Sequence, residues 1–271
     1  MLAKRTLVSL VLLPFGLAAI ILGGTVFATV VALILGLAAW EYTQLYRAGG
    51  FQPAGVFVIG GAVLLTLARA WNGFESAPWI ISLLILSSLT YHLVAYERGR
   101  DPAGTDFGLT LAGALYLGWI GAYLVSLRFM PDGKWWMLLA LPAVWAVDSG
   151  AFLIGHRFGR HHLSRRISPH KTWEGYLGGI LFGTLAGALL AWLYGLLGAG
   201  AAISPARGAL LGFILATLTL LGDLGESMFK RQVGAKDSGS LLPGHGGVFD
   251  RIDSWLWAAV IGYYAVLWLF P

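Results

Sequence analysis

The chain has 271 residues, of which 58% are hydrophobic and only 11% charged, with a mean hydropathy of +0.75. A soluble domain is about 45–50% apolar and about 25% charged, so a globule of this size could not hide so much apolar surface from water, and lipid must solvate much of it. The net charge of +5 gathers in a few loops between apolar stretches, which excludes a nucleic-acid footprint, and the absence of cysteine excludes disulfides, thiolate metal sites and a cysteine nucleophile.

Lys4 and Arg5 precede an apolar run that ends at Leu22. No small-residue cleavage site in a polar context follows, and Gly23-Gly24 leads straight into a second apolar run, so the segment reads as a first membrane helix rather than a cleaved signal. Crossing the hydrocarbon takes about 20 apolar residues. Nine windows qualify: 6–22, 25–45, 56–71, 78–96, 107–128, 135–155, 174–197, 206–225 and 249–270. The predicted fold is all-α, a polytopic transmembrane bundle of about nine helices in a single integral membrane domain spanning 1–271. The 38 glycines let helix backbones approach closely where lipid supplies no hydrophobic drive, and the 12 tryptophans suit an interfacial belt.

Cytoplasmic loops of membrane proteins carry an excess of Lys and Arg. With the N-terminus in the cytoplasm and strict alternation, fourteen of the eighteen fall on the cytoplasmic side: Lys4, Arg5, Arg47, Arg98, Arg100, Arg157, Arg160, Arg165, Arg166, Lys171, Lys230, Arg231, Lys236 and Arg251. Only Arg69, Arg128, Lys134 and Arg207 fall opposite. The two loops richest in cations, 156–173 and 226–248, share the cytoplasmic side, which allows a common site.

Three clusters hold the residues suited to chemistry. Asp148-Ser149-Gly150 sits late in the sixth window, after an entirely apolar run from Met137 to Val147. An acid at that depth costs a few kcal/mol on insertion scales and normally faces a cavity or a partner. The second cluster runs from Arg165 to Gly175. Ser168 followed by Pro169 fits a helix N-cap with proline at the first helical position, where free N–H groups attract anions beside Lys171 and Thr172. An ordinary positive-inside loop capping a helix would look the same.

The third cluster holds Asp223, Glu226, Lys230, Arg231, Lys236, His245, Asp250, Arg251 and Asp253. Asp223 with Glu226, and Asp250 with Asp253, are three apart and so share a helix face. Hard carboxylate oxygens at this spacing suit Mg²⁺, which takes one or two of them plus substrate phosphates. The four cations could neutralise phosphate oxygens, and Gly244, Gly246 and Gly247 let backbone approach a ligand. A loop with internal salt bridges accounts for single residues here, but not for so many charges placed beside apolar spans. His245 is a turn residue or a proton donor; no second His or Cys at ligand spacing makes it a zinc site, and the run lacks the order of a P-loop.

The pattern Ser227, Lys230-Arg231, Lys236-Asp237, Pro243, His245-Gly246-Gly247, Asp250-Arg251, Asp253 resembles that of the phosphatidate cytidylyltransferases, the CDP-diglyceride synthases, over 27 residues without a gap. Asp148 to Phe152, and Ser168-Pro169 with Lys171 to Gly175, match further blocks of that family in the right order. Family members often carry Thr, Tyr and Lys where this chain has Ser149, Phe152 and His170. The resemblance covers about half the chain well. Residues 1–105 match only as hydrophobic spans, and 135–271 carry the catalytic helices and cytoplasmic loops.

The resemblance implies an enzyme that converts CTP and phosphatidate to CDP-diacylglycerol and pyrophosphate in phospholipid biosynthesis, at the cytoplasmic face of a bacterial inner membrane. It implies Mg²⁺, with K⁺ as an option beside it, and CTP, phosphatidate and membrane lipid as partners; a homodimer is left open. The implied catalytic residues are Asp223, Asp250, Lys236 and His245. Substrate binding falls to Ser168, Lys171, Thr172, Lys230, Arg231, Arg251 and Asp148, and metal binding to Asp223 and Asp250 with Glu226 and Asp253 as support or alternates. The alternatives are a related CTP-dependent lipid transferase, of the CDP-archaeol synthase or polyprenol kinase type, and, from another class, a secondary transporter with buried acids and broken helices.

Overall fold

The computed structural model describes residues 13–242, 244 and 246–270. It is helical almost throughout. The helices are α1 (Leu13–Leu22), α2 (Gly24–Ala48), α3 (Gly55–Asn72), α4 (Ala77–Glu97), α5 (Ala103–Gly113), α6 (Tyr123–Phe129), α7 (Gly133–Phe158), α8 (Trp173–Leu196), α9 (Pro205–Leu218), α10 (Leu220–Gln232) and α11 (Phe249–Leu269). A π-helical stretch, Ala114–Ile120, joins α5 towards α6, and strands β1 (His162–Ser164) and β2 (Ser168–Thr172) form an antiparallel hairpin.

Eight helical stretches among the described residues are long and apolar enough to cross a membrane, and they correspond to the second to ninth windows of the sequence. The first window, 6–22, lies partly outside the described residues; its described part is helix α1. Two of the eight are interrupted. Ala103–Phe129 contains the π-helical stretch, and Pro205–Gln232 breaks between α9 and α10 at Thr219.

The structure corrects one local expectation. Ser168 and Pro169 do not open α8; they lie in β2, with Ser168 opposite Ser164 and Thr172 opposite His162. Ser168 is paired in the hairpin, and the helix starts later, at Trp173. Thr172 is the N-cap, its side chain accepting the Gly175 N–H at 3.2 Å. Glu174 ties the far end of the hairpin by accepting the backbone N–H groups of Arg160 (3.1 Å) and His161 (3.2 Å).

The chain forms two compact units. One comprises the chain up to Ser126 together with Phe229–Ile252, and the other Leu127–Met228 together with the chain from Asp253 onwards. In the first, Tyr42 and Tyr46 of α2, Tyr116, Phe229 and Phe249 form an aromatic cluster with edge-on, tilted and stacked contacts. Buried Asp106 accepts the Gln52 N–H at 2.7 Å and pairs with Arg100 at 2.8 Å, while Thr110 takes the Ala54 N–H at 2.9 Å. Arg69 is buried at 4% exposure, bonds the Ser126 hydroxyl at 2.8 Å, and has its guanidinium 3.7 Å from the Phe74 ring centre. Such desolvated cation–π contacts are worth up to about 2 kcal/mol each.

In the second unit, α8 packs between α7 and α9. A Cβ on Gly187 would meet the Gly208 carbonyl, and one on Gly212 the Gly183 carbonyl. The two backbones therefore touch, which is how membrane helices gain dispersion contact without a hydrophobic drive. A Cβ on Gly155 would meet the Thr172 hydroxyl and one on Gly175 the Ala151 carbonyl, so the end of α7 lies close against the hairpin and the start of α8.

Candidate active site

Each unit holds a polar cluster built on helix ends. In the second unit, a cavity of about 670 Å³ is lined by Asp148 from α7, His170, Lys171 and Thr172 from the hairpin, Tyr176 from α8 and Asp223 from α10. The Lys171 ammonium forms an ion pair with Oδ2 of Asp223, and both side chains keep contact with solvent, at 25% and 33% exposure. Ser227, one turn further along α10, donates its hydroxyl to Oδ1 of Asp223 at 3.4 Å. Tyr176 anchors the wall by donating to the Thr217 carbonyl at 2.9 Å.

Four residues expected from the sequence thus meet on one cavity: Asp148, Lys171, Thr172 and Asp223. Ser168 sits at the other end of β2 from Thr172. Glu226 is buried at 1% exposure, and Asp253 accepts the Ser254 N–H at 2.7 Å. His170 and His156 also line the cavity, although neither stands among the predicted site residues. His170 had a local signal, being flanked by Lys171; His156 had none, because it closes an apolar helix whose outward faces look alike in sequence.

The first unit holds the second cluster. Lys230, in the last turn of α10, places its ammonium 2.7 Å from Oδ1 of Asp250, in the first turn of α11. Oδ2 of Asp250 accepts the Ser238 N–H (2.9 Å), the Ser238 hydroxyl (2.9 Å) and the Gly247 N–H (2.8 Å). A carboxylate with this many donors is held in one orientation. Gly246, at φ +82°, supplies the left-handed turn that sends the chain back for the Leu242–Gly246 bridge. Arg231, Lys236 and Arg251 are exposed; the Arg231 guanidinium bonds the Ala235 carbonyl at 3.0 Å. His245 lies outside the described residues.

This second cluster contains an acid that sequence reasoning missed. Glu41 of α2 is fully buried, and its Oε2 accepts the Phe249 N–H at 2.8 Å and lies 3.4 Å from the Ser238 hydroxyl. A lone acid in an apolar helix gives no hint of partners about two hundred residues away.

The carboxylates fit a sparse mode of Mg²⁺ binding. Among the described residues no group of three or more His, Cys, Asp or Glu forms an all-protein metal cage. Mg²⁺ does not need one, since one or two carboxylates suffice when substrate phosphates complete the shell.

These features define a polytopic integral membrane protein whose acids and lysines collect at helix ends, in clusters suited to phosphate esters. Comparison with known proteins makes this specific. The chain belongs to the Cytidylyltransferase family, which matches residues 3–270. It is 36% identical to a phosphatidate cytidylyltransferase of Pseudomonas aeruginosa over 273 residues, covering 99% of this chain and 97% of that protein. It is 32% identical to one from Synechocystis sp. over 299 residues (99% and 97%), and 31% identical to one from Mycobacterium leprae over 287 residues (99% and 90%). The chain is an enzyme of this family, and neither a transporter nor a transferase acting on another lipid is favoured.

Proposed function

We infer that the chain transfers the cytidylyl group of CTP to phosphatidate, forming CDP-diacylglycerol and pyrophosphate. The observation that carries this reading is the cavity that brings Asp148, Lys171, Thr172 and Asp223 together, in a chain similar over nearly its whole length to phosphatidate cytidylyltransferases. A phosphate monoester has a second pKa of about 6, so phosphatidate is largely dianionic near pH 7 and is its own nucleophile. One of its oxygens attacks the α-phosphorus of CTP, the bond from that phosphorus to the β-phosphate oxygen breaks, and pyrophosphate leaves with the electron pair. No strong general base is required.

The protein's work is then to position the phosphates and offset their charge. We assign Lys171 and Lys230 to phosphate oxygens, with Arg231, Lys236 and Arg251 as exposed cations that draw the substrates in. Asp148 and Thr172 orient substrate in the cavity. In the second unit Asp223, with Glu226 and Asp253 as support, would hold Mg²⁺, and in the first unit Asp250 is the candidate carboxylate; the ion when bound would supply charge neutralisation on the triphosphate. The excess of Lys and Arg in the loops that carry these residues favours the cytoplasmic face of a bacterial inner membrane.

The test is direct. Purified protein in mixed micelles with phosphatidate, CTP and Mg²⁺ should form CDP-diacylglycerol and pyrophosphate in equal amounts. Faster turnover with another phosphorylated lipid, or with CTP as a phosphoryl rather than cytidylyl donor, would overturn the assignment of substrate or reaction.

A further inference from the structure

We infer that Glu41 is a positioning residue for the reaction, clamping the loop between Ser238 and Phe249 so that Asp250 is presented in a single orientation. The inference rests on the reading that places Asp250 in the active site.

Glu41 has 0% exposure in the C-terminal third of the membrane-spanning helix α2. A buried acid within an apolar span is costly and calls for specific partners. Its partners lie on the segment that delivers Asp250. Oε2 accepts the N–H of Phe249, the residue immediately before Asp250, at 2.8 Å. The Ser238 hydroxyl has one proton to give and stands between the two acids, 2.9 Å from Oδ2 of Asp250 and 3.4 Å from Oε2 of Glu41. The shorter contact takes the proton, so Ser238 serves Asp250 while packing against Glu41.

Two glycines close the clamp. A Cβ on Gly239 would run into the Glu41 carboxyl group, and one on Gly247 into the same group and the Ser238 hydroxyl. Gly247 is also a donor to Asp250, through its N–H at 2.8 Å. Glu41 therefore seats the Phe249 amide, next to Asp250 in the chain, and packs against the two residues that donate to Asp250 Oδ2, Ser238 and Gly247. Oε1 has no hydrogen-bond partner among the described residues. Oε1 lies against Gly239, and Oε2 against Gly247.

Glu41→Ala removes the anchor while leaving Asp250, Lys230 and every phosphate contact in sequence. A displacement of about 1 Å in a catalytic group costs on the order of a hundredfold in rate. We expect Glu41→Ala in the full-length purified protein to lower kcat by roughly that factor, with KM for CTP and phosphatidate close to the parent's. Glu41→Gln keeps an oxygen for the Phe249 N–H and should recover most of the lost turnover. A merely structural acid would instead lower the yield of folded protein and leave kcat per folded molecule unchanged.

Asp250→Ala, assayed alongside, separates the two levels of inference. An inactive Asp250→Ala with parent-like kcat in Glu41→Ala overturns the role of Glu41 alone. Parent-like turnover in Asp250→Ala removes the active-site reading and this inference with it. A Glu41→Gln variant as impaired as Glu41→Ala also overturns the proposal, because the charge rather than the position would then matter. If Glu41→Ala does not accumulate as folded protein, Gly247→Ala decides: it displaces the carboxyl group from outside and should lower kcat at nearly constant KM, and parent-like kcat there overturns the clamp.

Discussion

The Lys230 ammonium and the Asp250 carboxylate pair at 2.7 Å with only 11% and 5% of their side chains exposed, and the second oxygen of Asp250 is filled by Ser238 and Gly247. Both oxygens thus accept from donors. Asp250→Asn must turn its NH₂ either towards an ammonium or towards two N–H groups and a hydroxyl, so it loses on either side. We expect it to destabilise the protein by about 1–3 kcal/mol, the usual cost of unsatisfied buried polar groups. Lys230→Ala should cost a similar amount, below the about 3–5 kcal/mol of an uncompensated buried pair, because the donors on Oδ2 remain. Thermal unfolding in detergent measures both. CDP-diacylglycerol formation should fall by more than tenfold in each, further than a stability loss of this size removes folded protein.

The pair formed by Lys171 and Asp223 differs in kind, because both partners reach solvent at the cavity wall. A half-exposed ion pair contributes about 0–1 kcal/mol, so neither Lys171→Ala nor Asp223→Ala should impair insertion or purification. Their effect should fall on turnover. The reversed pair Lys171→Asp with Asp223→Lys rebuilds the salt bridge but exchanges the ends at which anion and cation are offered. We expect the double variant to remain as inactive as the single ones. Recovery of activity on reversal would show that the pair is structural.

The spans were legible because an apolar helix must announce itself to lipid over its whole length, and Gly55–Asn72, Ala77–Glu97 and Phe249–Leu269 lie within a residue of their windows. Their ends were less so. The eighth window stops near residue 225, yet α10 runs on to Gln232, because Lys230 and Arg231 in its last turn suit the negative end of the helix dipole. The start of α8 was missed because Ser168-Pro169 and Thr172 both offer a cap, and the choice is made by β1, whose pairing with Ser168 no local pattern encodes. Asp148, Lys171 and Asp223 were legible as charges beside apolar runs. Glu41 was not, since its meaning depends on an amide at Phe249 and a hydroxyl at Ser238.

The bias of Lys and Arg predicts the side on which each loop lies. His162, in the hairpin, and Ala201, between α8 and α9, are both exposed and lie at opposite ends of α8. The chain has no native cysteine, so His162→Cys and Ala201→Cys give clean probes. In inverted and right-side-out vesicles, a membrane-impermeant maleimide should label position 162 only from the cytoplasmic side and position 201 only from the other. Labelling of both from one side would mean that α8 does not cross the membrane.

The last prediction concerns the divalent cation. The cavity that holds Lys171 also presents the carboxylates of Asp148 and Asp223. A nucleotide triphosphate entering that cavity brings several negative charges towards them, in surroundings where Coulomb repulsion is screened less than in water. A single ammonium, already paired with Asp223, offsets only part of this. A divalent cation held by a carboxylate and the triphosphate reverses the sign of the interaction, so activity should disappear in EDTA and return with added Mg²⁺. Asp223→Asn keeps the shape of the side chain and removes the charge that attracts the ion. It should shift the Mg²⁺ dependence upwards by roughly tenfold or more, about 1.4 kcal/mol, and regain part of its activity at high Mg²⁺. Lys171→Ala, which removes a phosphate contact, should raise KM for a substrate and show no rescue by Mg²⁺. Full activity in EDTA would remove the metal from the mechanism, and an unchanged Mg²⁺ requirement in an active Asp223→Asn would remove Asp223 from the metal site.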